Sequence, residues 1–105
     1  MAFTNWGFIY LGTGHEDPAA DRAVIERSGL KTTVVAVPDR ATAVDTAVDL
    51  VEAGAQSIEL CGGLGPSVAS EVVEATGGRV PVGAVTYGVE SIHALAALFP
   101  RAEAA

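Results

Sequence analysis

Basic residues are scarce in this chain, and the scarcity excludes whole classes of function. Six Lys and Arg face thirteen Asp and Glu, a formal net charge of −7. Proteins that bind nucleic acid need a basic footprint to displace counterions from phosphate. No run of Lys or Arg is present, so neither nucleic acid nor an acidic membrane surface is an expected partner. The sole lysine, Lys31, begins a strand at the wrong edge of the sheet for a pyridoxal Schiff base. The one cysteine, Cys61, leaves no internal disulfide, as in proteins of a reducing cytosol. No apolar stretch is long enough to span a bilayer. The opening MAFTNWGFIYLGTG lacks the charged, apolar and cleavage regions of a signal peptide. These absences point to a cytoplasmic protein. Only six residues are aromatic, so the core is built from Ala, Val and Gly.

What is present is a regular alternation. Half of the 105 residues are hydrophobic, which suits one domain over 1–100 with a frayed tail at 101–105. So small a domain has a thin stability margin. Self-association would relieve it, and a homodimer is expected. Four short, nearly continuous apolar runs read as buried strands: Trp6–Leu11, Lys31–Val37, Gln56–Cys61 and Val80–Tyr87. Between them lie helical patterns. Pro18–Arg27 has Asp17 as its N-cap and Gly29 as its stop. A second helix runs from a cap at Asp39 to about Ala53, with Val44, Ala47, Val48 and Val51 as its apolar stripe. A third starts near Pro66 and ends at Gly77-Gly78. A fourth runs from Val89 to Phe99, with Ile92, Leu95, Ala96 and Phe99 on one face. Four β-α units predict an α/β fold with a parallel four-stranded sheet, helices on both faces and flavodoxin-like order 2-1-3-4. The alternative is half of an eight-unit βα barrel.

In such a sheet ligands bind beyond the carboxyl ends of the strands, where strand order reverses. The crevice would lie between the loops Gly12–Asp17 and Gly62–Ser67. Gly62, Gly63 and Gly65 would let backbone approach a ligand, and Ser67 would add a hydroxyl beside a helix start that favours an anion. The loops fail as nucleotide motifs. No lysine follows Gly65 as a P-loop requires, and Asp17 stands where a dinucleotide fingerprint has its third glycine. His15 is a candidate general acid or base, with Glu16 or Asp17 to orient it. It is equally a solvated loop residue, with Asp17 only a helix cap. Glu59 is predicted near-buried in a central strand, where a carboxylate is costly unless functional or paired with Arg22, Arg40 or Tyr10, or covered by a dimer contact. Cys61 is a candidate nucleophile or a small buried hydrophobe. Tyr10, Thr86 and Tyr87 could reach a ligand, and His93 reads as a core-boundary residue. His15, Glu59, Cys61 and His93 match no metal-ligand spacing, and no metal or cofactor is expected.

The runs IELCGGLGP, PVGAVTYG and NWGFIYLG carry a resemblance across nearly the whole chain. It resembles small bacterial proteins grouped as domain of unknown function 6506, a resemblance that implies a compact protein and transfers no activity. The residues therefore give two expectations. One is a small-molecule-binding protein of lyase, isomerase or hydratase type, holding an anionic or carbonyl group. The other is a non-enzymatic assembly subunit that homo-oligomerises through strand edges and Phe3–Trp6.

Overall fold

The computed structural model describes residues 2–99, so the tail expected to fray lies outside the described residues. Five strands form one mixed sheet: β1 (Asn5–Leu11), β2 (Arg22–Arg27), β3 (Leu30–Val37), β4 (Ile58–Leu60) and β5 (Val82–Ala84), ordered β2-β3-β1-β4-β5. β3, β1, β4 and β5 are parallel, and β2 pairs antiparallel with β3 at the edge. Helices α1 (Arg40–Glu52) and α2 (Gly65–Ala75) connect β3 to β4 and β4 to β5. A 3-10 turn (Val89–Ser91) and the short helix α3 (Ile92–Leu98) follow β5.

The four expected strands are present, and among themselves they keep the expected order. Two corrections apply. The sheet is five-stranded and mixed, not a four-stranded parallel flavodoxin-like sheet, and its open order also excludes half a barrel. The segment expected to be a helix from Pro18 contains strand β2. The Asp17-Pro18 start does wind one turn. Ala19 N–H donates to the Asp17 carboxylate, and Asp21 N–H donates to the Asp17 carbonyl at 2.7 Å. The turn is not propagated, because Ala23, Val24 and Ile25 pair with β3 instead. Ser28 and Gly29, with φ of 51° and 82°, close a two-residue hairpin of the type whose twist suits paired strands.

That exchange of helix for strand decides the layering. β3→α1→β4 and β4→α2→β5 advance in one direction across the sheet, so crossovers of one hand put both helices on one face. The step from β1 to β3 runs the other way, and its helix would have covered the second face. A hairpin takes its place. The core is therefore one-sided: Ile9, Val35, Val37, Ile58 and Leu60 meet Ala43, Ala47, Leu50, Leu64, Val68 and Val72. Gly7 admits α1 closely, since a Cβ there would stand 2.7 Å from Leu50 Cδ1. Asp39 caps α1 as expected, accepting from Thr42 N–H at 2.7 Å.

Strand side chains alternate, so the register fixes what the other face carries. Trp6, Phe8 and Tyr10 stand beside Thr32, Val34 and Ala36, with Ile25 beyond them, and Glu59 lies opposite Phe8. Neither α1 nor α2 covers them. α3 does not either: none of its residues is buried, and Ile92, Leu98 and Phe99 are exposed. Among the described residues, helices on both faces, as expected from the sequence, are thus not found. The long axis of the molecule measures 49 Å against 30 and 28 Å for the others.

Candidate functional site

The loop after β1 is shaped by its own glutamate. The Glu16 carboxylate accepts from Thr13 N–H at 2.8 Å, Gly14 N–H at 2.9 Å and His15 N–H at 3.1 Å, and from the Thr13 hydroxyl at 2.8 Å. Gly12 leaves room for it, because a Cβ there would overlap the carboxyl group. Hydrogen bonds from the Thr13 backbone and hydroxyl hold the Glu16 pKa down at about 2. This concave run of N–H groups can bind a carboxylate, and the chain already supplies one. His15 is at the exposed loop tip, and its contact with Glu16 is through the main chain. Glu16 therefore organises backbone and not the imidazole.

The loop after β4 is turned inward. Leu64 N–H and Gly65 N–H both donate to the Cys61 carbonyl, at 3.1 and 3.4 Å, and Pro66 has no N–H. Those donors at the start of α2 do not face a ligand. Gly65 needs to be glycine for its φ of +75°. Gly62 needs to be small because Tyr87 lies against it, 3.2 Å from where a Cβ would be. Gly63 packs beside Cys61 and Leu11. Cys61 is half-buried against the core, and its Sγ accepts from Leu11 N–H at 3.3 Å. Ser67, Thr86 and Tyr87 are exposed.

Glu59 corrects an expectation. It was predicted near-buried because β4 is a central strand, yet it is exposed, since that face of the sheet carries no helix. Tyr10 shares the face with it. The structure thus gathers Cys61, Gly62, Gly63 and Tyr87 at the carboxyl edge, and Tyr10 and Glu59 on the open face. His15 is at the exposed tip of the loop that leaves the carboxyl end of β1. Two open depressions of about 480 Å³ lie at the opposite edge, one against Asn5 and the hairpin turn, the other against Gly54, Gln56 and Arg79. There the Gln56 side chain accepts from Thr4 N–H at 2.7 Å and donates to the Ala2 carbonyl at 2.9 Å, clasping the N-terminal segment. Among the described residues no three His, Cys, Asp or Glu are grouped to hold a metal ion, and no helix is long and apolar enough to cross a membrane.

The residues that sequence reasoning undervalued are Phe8 and Val34 on the open face, with Trp6 cited only as part of an N-terminal segment. The signal was available: in WGFIYL the aromatics fall on every second position. No curated protein and no solved structure matches the chain. A sequence model described as a family of unknown function, DUF6506, matches residues 4–100, nearly all of the chain, and the protein belongs to that family.

Proposed function

We propose that this domain is an association subunit whose working surface is the uncovered sheet face, and that its occupant is a second copy of the chain. The observation that carries this reading is the row Trp6, Phe8 and Tyr10 on a face with no helix over it. Tyr10 and Ile25 are exposed there, Trp6, Phe8 and Val34 are half-buried, and apolar surface gathered on one face marks an interface. A standard interface takes about 800 Å² from each partner. Trp6 is the sole tryptophan, which makes it a reporter. Sedimentation over a concentration series should give a dimer, with Trp6 emission moving to the blue as it forms. Val34→Asp should give a folded monomer. A wild-type monomer at every concentration, with unchanged Trp6 emission, contradicts the proposal.

A second reading is a small-molecule site at the carboxyl edge. It is favoured by the Glu16 carboxylate, whose partners show the chemistry the loop accepts. A ligand carboxylate would replace that of Glu16 on the Thr13, Gly14 and His15 amides. Glu59 or His15 would move a proton in a lyase, isomerase or hydratase reaction, but they stand on different surfaces. Titrating Glu16→Gln with acetate or succinate should shift the amides of Thr13, Gly14 and His15. Unmoved amides at high ligand concentration would end this reading.

A further inference from the structure

We infer that residues 85–99 are an exchange arm, which docks on the open sheet face of a second copy while that copy's arm docks on the first. The inference rests on the association reading and names the segment that does the covering. Topology is the first argument. A right-handed crossover from β1 to β3 would have laid a helix on the face opposite α1 and α2. Here the first helix is replaced by the β2–β3 hairpin, and the last, α3, exists but is not docked on its own sheet. One chain thus holds both an empty apolar face and the helix suited to it.

The second argument is the tether. Val85 N–H donates to the Leu60 carbonyl at 2.9 Å, and the Tyr87 ring lies against Gly62. These contacts hold the start of the arm to the carboxyl edge, and beyond them no residue of α3 is buried. The third argument is chemical complementarity. α3 reads IHALAAL: apolar, without a carboxylate, and with one base, His93. The face it would cover is apolar and carries the Glu59 carboxylate beside Phe8. Val89, Ile92, Leu98 and Phe99, all more than half exposed, would be buried by the exchange. A two-fold axis makes such an exchange closed: face and arm of each chain meet arm and face of the other.

The test uses the full chain. A spin label is placed at His93→Cys in a Cys61→Ser background without isotope, and mixed with ¹⁵N-labelled chain carrying no label. Broadening of Trp6, Phe8, Tyr10 and Val34 amides in the ¹⁵N chain is the expected result. Ile92→Ser and Leu98→Ser should each weaken self-association by about tenfold or more, as the loss of a buried aliphatic side chain does. Broadening found only when label and ¹⁵N share one chain shows an arm folded onto its own sheet and overturns the inference. A dimer whose face amides are broadened in neither sample also overturns it, leaving the association reading standing. A monomer at every concentration removes both.

Discussion

Gly7 and Glu16 show how much a single position decides. At Gly7 the missing Cβ lets α1 approach β1, and Leu50 occupies the space. Gly7→Ala forces that buried leucine or the helix to shift, and overpacking of this kind costs about 1–3 kcal/mol. Chemical denaturation should show the loss with an unchanged slope. At Glu16 the expected effect depends on pH. The folded pKa is held at about 2, below the ordinary value of 4.5. The carboxylate therefore favours the folded loop above pH 4.5, and that contribution falls away as pH drops from 4.5 through 2. The protection of the Thr13, Gly14 and His15 amides, relative to the intrinsic exchange rate at each pH, should fall across that window. In Glu16→Gln that protection should be low throughout. Equal exchange in both proteins at pH 6 would show that the carboxylate does not hold the loop.

At the scale of elements, what the sequence made legible was local, and what it hid was the competition between local signals. Asp39 before an apolar stripe predicted α1, and the cap forms as a hydrogen bond to Thr42. The run WGFIYL predicted β1 to within one residue. Asp17-Pro18 winds only a single turn and starts no helix, because Ala23-Val24-Ile25 is strand-forming and Ser28-Gly29 is a hairpin turn. The turn outweighed the cap because β3 offered a paired edge that no sequence pattern displays. That one substitution of strand for helix also uncovered Glu59, so the burial expected at the candidate site failed for the same reason. The hairpin gives a test. Gly29 has φ of +82° with open space around it, so alanine there meets strain rather than a clash. Gly29→Ala should destabilise by about 1–2 kcal/mol, the usual penalty of a left-handed backbone at a residue with a side chain. Exchange should quicken first in β2. Unaltered stability would mean that the hairpin is not formed in solution.

Over the whole molecule, charge and apolar surface pull against each other. Each chain carries a formal charge of −7, so two chains repel as they approach. The open face supplies apolar contact and few charges, with Glu59 near its middle. Salt separates these contributions. Screening over a Debye length of about 10 Å at 0.1 M reduces the repulsion between chains and leaves apolar burial in place. Raising NaCl from about 20 to 200 mM should therefore tighten self-association, seen in sedimentation as a falling dimer dissociation constant. Thermal unfolding should follow the same logic, with Tm rising with protein concentration because the dimer stabilises the folded chain by mass action. An interface held mainly by ion pairs would respond in the opposite sense and weaken with salt. The sign of the salt dependence thus distinguishes a dimer closed by its aromatic sheet face from one closed by charge, and only the first fits a face built on Trp6, Phe8 and Tyr10.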